Sequence, residues 1–321
     1  MALEDGAPPL VRDEAMQRLL VDCDPGLDDA VALLLARGCG DLVGVTTVAG
    51  NGPIEVTTRN AEWVCRVIGY SGDLVSGAAR PLVGELGPPS ECPFPVFKGR
   101  YRAGPRLRTE LDAAGFISEQ ARTGTWLIAT GPLTNVALAL RRDPGLAGRL
   151  TGISIMGGTT CVGNVTPVSE FNIWCDPEAA HIVFSAGLPI RLCGLDVTNA
   201  VLVDREFVTT VRRLKTGLSS YFGDLLETFI ETYPDAFVGQ PVAPLHDPCA
   251  TLAAIRPDLF QWRDLHAAVE LVGSLTRGMT VCDRRDTPSG RAPNVQFAVS
   301  ADRDAILAAI LQALRNLGEL E

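Results

Sequence analysis

Long apolar runs are missing from this 321-residue chain, and so is any block of basic charge. The longest apolar stretch near the N-terminus, AVALLLA at residues 30–36, is far too short to cross a bilayer. Acidic residues outnumber basic ones 38 to 28, for a formal net charge of −10. A surface of that sign repels phosphate backbones and anionic lipid, which sets aside nucleic acid and membranes as general partners. The opening MALEDGAPPLVRDEAMQR has no apolar core and does not read as a secretory signal. We read residues 1–17 as a loose extension ahead of a domain over 18–321. The nine cysteines are odd in number, scattered, and never spaced as CxxC. Free, mostly buried thiols in a reducing compartment are expected, hence a cytosolic protein.

What is present is ordinary globular material, 46% apolar and 21% charged, enough for a sizeable core. Short apolar runs alternate with longer amphipathic ones: RLLVD then DDAVALLLARG, LVGVTTVAG then EVTTRNAEWVCRVIG, TWLIATG then PLTNVALALRR. GISIMGG precedes a loop and DPEAAHIVFSAG, and PIRLCGLDV follows. Continuous apolar strands separated by helices predict an α/β fold, a single domain on a mostly parallel, doubly wound sheet with helices on both faces. Residues 204–237 read as a small cap of two helices. The segment 79–105 is rich in proline and glycine, and a loop that long is more often functional than idle.

In open parallel sheets ligands bind beyond the carboxyl ends of the strands. There the chain reads DCDPGLDDA, with Asp24 past the first strand, Pro25-Gly26 at the turn, and Asp28 and Asp29 at the next helix start. A helix N-cap accounts for Asp28 alone. Three carboxylates crowded together repel one another, and a bound cation removes the conflict. Hard oxygen donors suit calcium or magnesium, while the absence of clustered His and Cys speaks against zinc. Asn51, Thr130, Asn164, Glu170, Asn172 and the pair His246-Asp247 lie at other predicted strand or loop ends. Each has a plain structural reading: Asn as turn residue, Asp247 as N-cap before Pro248, His246 as a packed histidine.

The segments VDCDPGLDDAVALLLA, VTTVAGN, ATGPLTNVALAL, IMGG, GNVTPVSEFNIWCDPEAAHIVF and HDPCA, in that order, resemble the nucleoside hydrolases, most closely the inosine–uridine-preferring type. The resemblance runs from about Leu19 to the C-terminal part. It implies hydrolysis of the N-glycosidic bond of a ribonucleoside to ribose and free base, and a homodimer or homotetramer. It also implies a calcium ion at the pocket floor, held by Asp24, Asp29, the Thr130 carbonyl and Asp247. Asp24 would be the general base toward water. Asp28, Asn51, Asn164, Glu170 and Asn172 would bind the ribose, with Met156 lining the pocket and His246 near the leaving base as acid. The residue types suit an oxocarbenium-like transition state, whose positive charge carboxylate and amide oxygens stabilise. No Gly-rich loop offers a phosphate cradle, which favours a nucleoside over a nucleotide.

One departure concerns the base. Where the family carries a His-Gly pair in the long loop, this chain reads FKGRYRAG, placing Lys98 before Gly99. Lys98, Arg100 and Arg102 are either base-facing or plain solvated charges. Tyr233 is placed to reach the base from the cap, with a core or surface role as its alternative. His181 reads as a packing residue, Trp63 and Trp126 as core, His266 as a strand residue without metal partners, and Asp22 as a support for Asp24. Cys23, between two aspartates, makes a poor nucleophile. Two rival functions remain at this point: a haloacid-dehalogenase-type magnesium phosphatase, from the DxD opening, and a calcium-dependent nucleoside or sugar binder without catalysis.

Overall fold

The computed structural model describes residues 16–88, 93–99, 101, 103–233, 241–285 and 290–318. The N-terminal extension up to residue 15, Arg100, Arg102 and residues 234–237 of the expected cap lie outside the described residues. The strands are β1 (Arg18–Cys23), β2 (Asp41–Thr47), β3 (Asp73–Ser76), β4 (Arg106–Leu107), β5 (Thr125–Ala129), β6 (Gly152–Met156), β7 (Ile190–Cys193), β8 (Leu202–Asp204), β9 (Val242–Pro244), β10 (Phe260–Leu265), β11 (Ala267–Val269), β12 (Thr280–Cys282) and β13 (Val295–Ala301). The helices are α1 (Leu27–Cys39), α2 (Ile54–Val67), α3 (Ala113–Gln120), α4 (Thr134–Arg142), α5 (Phe171–Cys175), α6 (Pro177–Phe184), α7 (Leu195–Thr198), α8 (Arg205–Arg212), α9 (Gly217–Thr232), α10 (His246–Ile255) and α11 (Arg303–Gly318).

Nine strands form one sheet in the order β10-β13-β7-β6-β5-β1-β2-β3-β4. Every neighbouring pair is parallel except β10 with β13. The doubly wound α/β domain expected from the alternating runs is therefore present. β1 shows why its run is uninterrupted: Leu19, Val21 and Cys23 enter one core while Leu20 enters the other. With both faces covered, neither set of side chains meets water, and the strand reads as continuously apolar. Residues of α1, α2, α9, α10 and α11 share the first core, and residues of α3, α4 and α6 the second.

The winding direction changes at β1. The chain leaves it for β2 and β3 on one side, then returns to lay β5 against its other edge. The crevice between the carboxyl ends of β1 and β5 is the topological switch point where such sheets bind ligands. The cap is the pair α8 and α9, joined by Arg212 to Asp224 and Glu227, each at 2.8 Å.

Some local expectations are corrected. His181 is exposed on α6, and Trp63 is only half-buried on α2, whereas Trp126 is core as expected. Asp28 does not cap its own helix: α1 starts after Gly26, whose N–H is taken by Asp29 Oδ2 at 2.8 Å. The three-residue offset lets a carboxylate at the third helical position reach back to the first orphan donor. Asp247 likewise sits inside the first turn of α10, whose N-cap position is Leu245 with no side-chain cap.

α1 carries two candidate site residues at its start and packs on α11 at its end. A Cβ added at Gly38 would stand 2.7 Å from Ala313 Cβ, closer than real carbons approach. Gly38→Val is therefore expected to destabilise the fold by about 1–3 kcal/mol through overpacking. Urea unfolding would show this as a lower midpoint, and an unchanged midpoint would contradict the contact.

Candidate active site

The site grows out of four buried strand ends. Asp24 follows β1, and its Oδ2 accepts the Asn51 main-chain N–H at 2.6 Å. The Asn51 side chain returns a bond from Nδ2 to the Asp24 carbonyl at 3.1 Å. The other oxygen, Asp24 Oδ1, is buried with no hydrogen-bond partner among the described residues. Gly50 and Gly131 let backbone pass against this carboxylate, where a Cβ at either position would collide with it. Asn60 Nδ2 holds the Pro25 carbonyl at 3.0 Å and so steadies the turn from below.

Asp22 braces this corner through Thr46 and Asn135, and not by the expected hydrogen bond to Asp24, which is absent among the described residues. Its Oδ1 accepts from Thr46 at 2.6 Å and from Asn135 Nδ2 at 2.8 Å. Asn135 also bonds the Thr47 carbonyl and the Ala78 N–H, each at 2.8 Å, tying β1, β2 and the loop after β3 together. Burial pushes the Asp22 carboxyl up to about 6. Burial and the surrounding carboxylates push the Cys23 thiol well up, so it is no nucleophile at neutral pH.

Asp28, Asp29 and Asp247 each place an oxygen within 4.8 Å of the others, a spacing that could hold a metal ion. Asp24 is not one of this trio, and Asp28, which the resemblance gives to the sugar, is. Asp29 Oδ1 accepts from the Thr130 hydroxyl at 2.7 Å. Burial, reinforced by mutual repulsion, raises Asp24 and Asp247 well above the usual carboxylate range. Asp28 is pushed up to about 7 by burial and then by Asp29, and Asp29 is raised by burial. The Asp247 carboxyl lies close to those of Asp28 and Asp29, and without a cation their mutual repulsion favours the protonated forms. Hard oxygen donors, an unpartnered buried carboxylate oxygen and raised carboxylates together fit a divalent cation.

On the far wall Glu170 opens α5. It accepts N–H bonds from Asn172 at 2.9 Å, Gly158 at 2.8 Å and Ile173 at 3.1 Å. Burial nevertheless pushes its carboxyl up to about 7. The Asn172 amide nitrogen donates to the carbonyls of Thr130 at 2.8 Å and Met156 at 3.1 Å. The Thr130 carbonyl keeps a second lone pair for another ligand. Asn164 is exposed and serves the loop, its Oδ1 accepting from Phe171 N at 2.9 Å.

His246 is buried at the head of α10. Its Nδ1 lies 2.8 Å from the Thr198 hydroxyl and its Nε2 3.3 Å from the Tyr233 hydroxyl. Burial lowers the ring to about 4, so it is neutral at pH 7, and pushes Tyr233 up to about 12. The sequence thus brings together Asp24, Asp28, Asp29, Asp247, Asn51, Thr130, Met156, Glu170 and Asn172, with Tyr233 beside His246. Lys98 is exposed, and no described contact links it to the cluster. His266 Nδ1 faces the Ala292 carbonyl at 3.1 Å. Thr198, Asn135, Asn60 and Thr46 were not singled out from sequence. Asn135 and Thr46 stand inside the matching TGPLTN and VTTVAGN segments, but nothing local marked the other two.

Fold and site together define an α/β protein with a switch-point pocket of buried carboxylates and carboxamides that could hold a metal ion. A family model described as inosine-uridine preferring nucleoside hydrolase matches residues 19–308. The chain is 36% identical to the pyrimidine-specific ribonucleoside hydrolase RihA of Shewanella woodyi, over 93% of this chain and 98% of that one. It is 34% identical to the inosine-uridine preferring nucleoside hydrolase of Leishmania major, over 94% of this chain and 99% of that one. The structure of a purine-preferring ribonucleoside hydrolase from Gardnerella vaginalis superposes with a TM-score of 0.84 at 27% identity, covering 95% of this chain and all of that one. The chain belongs to the inosine-uridine preferring nucleoside hydrolase family, and its class is that of an N-glycosidase acting on ribonucleosides. The phosphatase reading of the DxD opening is thereby overturned.

Raised carboxyls give the bare protein a specific pH dependence. A folded pKa above the unfolded one stabilises fully below the unfolded value, and that stability is lost as pH rises through the folded value. With Asp28 and Glu170 raised to about 7 and Asp22 to about 6 from unfolded values of about 4, the chelated protein should lose melting temperature between about pH 4 and 7. A divalent cation at 100 times its Kd should add about 2.7 kcal/mol at the alkaline end. Thermal melts with and without chelator check both; a cation that leaves the melting temperature unmoved would exclude the site.

Proposed function

We propose that this protein is a calcium-dependent ribonucleoside hydrolase in which Asp24 activates the attacking water. The observation that carries the assignment is the division of Asp24: Oδ2 is pinned by the Asn51 N–H at 2.6 Å, while Oδ1 is buried and unpartnered. One oxygen fixes the orientation and the other is left to take a proton, which is what a positioned base requires.

Asp24, Asp29, Asp247 and the Thr130 carbonyl would hold the ion, with Asp28 close enough to share it or to turn to a ribose hydroxyl. A bound calcium would supply Lewis acidity and cancel the mutual repulsion of these carboxylates. Asp24 then stands ionised and can accept a proton. Asn51, Glu170 and Asn172 surround the ribose with carbonyl and carboxylate oxygens, which favour positive charge growing on the sugar ring. Asn164 reaches the sugar only if its loop turns inward. His246 and Tyr233 face the base from the cap side. Lys98 would meet the base only through movement of residues 93–99.

The similar proteins differ in the base their names carry: pyrimidine, inosine–uridine and purine. This chain's preference is therefore read from its own residues at the cap and long loop. A homodimer or homotetramer and a cytosolic location complete the proposal. The location is supported by free thiols at all eight described cysteines. Among the described residues no helix is long and apolar enough to cross a membrane.

Ribose release from inosine, uridine, cytidine and adenosine tests the reading. Release is expected with calcium and lost on chelation. Asp24→Asn should lower kcat by about 10²–10⁴-fold with the fold intact, the range for removing a positioned base. Calcium-dependent nucleoside binding without any ribose release would favour the non-catalytic binder instead.

A further inference from the structure

Thr198 is the last residue of α7, at the mouth of β7, and its side chain is fully buried. Its main-chain groups are already used: the N–H donates to the Gly194 carbonyl and the carbonyl accepts from Val201 N–H, both at 3.1 Å. The hydroxyl lies 2.8 Å from His246 Nδ1, and no other partner for it is found among the described residues. A hydroxyl has one hydrogen, and a buried one needs an acceptor.

We propose that Thr198 is a positioning residue that fixes the ring proton of His246 on Nε2. With the hydroxyl donating, Nδ1 must accept, so the neutral ring carries its hydrogen on the other nitrogen. The opposite tautomer would aim N–H at the hydroxyl oxygen and leave the hydroxyl hydrogen buried without an acceptor. Nε2 is the nitrogen facing Tyr233, 3.3 Å away on the cap side.

The consequence for chemistry rests on the reading of His246 as the group beside the leaving base. Breaking the N-glycosidic bond leaves the bonding electron pair on the base nitrogen. An Nε2–H then presents a hydrogen to the growing negative charge. An unprotonated Nε2 would present a lone pair to it and repel it. Thr198 therefore decides which face of the imidazole the leaving group meets, although it touches no substrate itself.

The test uses the full-length, calcium-supplemented chain and two readouts. The chain has three histidines, so long-range ¹H–¹⁵N spectra of the imidazoles are sparse, and His246→Gln assigns the signal. The parent should show protonated Nε2 and bare Nδ1; Thr198→Val should shift the ring toward the other tautomer, and Thr198→Ser should restore it. In turnover, Thr198→Val should lower kcat on a nucleoside by about 10-fold or more, part of the 10²–10⁴ that a positioned proton donor supplies, with KM nearly unchanged. p-Nitrophenyl riboside, whose leaving group needs no hydrogen-bond donor, should be cleaved almost as fast as by the parent. Thr198→Ala offers the same loss of hydroxyl should the valine variant misfold. A parent ring protonated on Nδ1, or equal losses on both substrates, overturns the proposal. A parent that releases no ribose from any nucleoside removes the hydrolase reading instead, while the ring spectra still decide the tautomer.

Discussion

Crowding of buried carboxylates at the end of β1 is the constraint around which the rest of this structure is arranged. The influences on Asp24 are chiefly burial and its acidic neighbours, offset mainly by one N–H from Asn51. Fully ionised, its members repel one another, and fully protonated, they give up acceptors; a bound cation would relieve the repulsion without that loss. The fold holds the members in place regardless, through Asn51 on Asp24, Thr130 and Gly26 on Asp29, and Thr46 and Asn135 on Asp22. Stability is given up locally to keep these carboxylates in place, the usual pattern where function overrides local preference.

The parallel sheet makes that arrangement possible at a distance in sequence. Asp24, Thr130, Met156 and Asp247 span more than two hundred positions, yet strand ends and a helix start set them around one crevice. The order of strands, with the chain reversing direction between β1 and β5, opens the crevice without removing a side chain. Groups that answer one another electrostatically are thus held by elements whose own stability comes from the two apolar cores.

Much of this was legible in the residues. Strands buried on both faces must be apolar without interruption, so β1, β2, β5, β6 and β7 stand out as runs, and the polar residues just beyond them mark the pocket. What was not legible depended on tertiary partners. Asp28 and Asp247 imitate helix caps, because an acidic residue near a helix start looks the same whether it bonds the backbone or faces a ligand. His181 sits among apolar neighbours in sequence but on the outer face of α6. Thr198 has its partner 48 positions away, and no periodicity announces such a pair. The loop bearing Lys98 is full of proline and glycine, which removes the periodic signal that would fix its path.

The amide of Asn172 reaches the carbonyls of both Thr130 and Met156, clasping the mouths of β5 and β6 with one nitrogen. The two strands cannot splay apart at their ends without breaking that clasp. The pocket floor is then ordered during folding rather than when a ligand arrives, so little conformational entropy is left to lose on association. A stiff floor under a cap of two helices sets a division of labour for evolution. Changes in the cap or the long loop can then accumulate without disturbing the strand ends that the clasp holds in register.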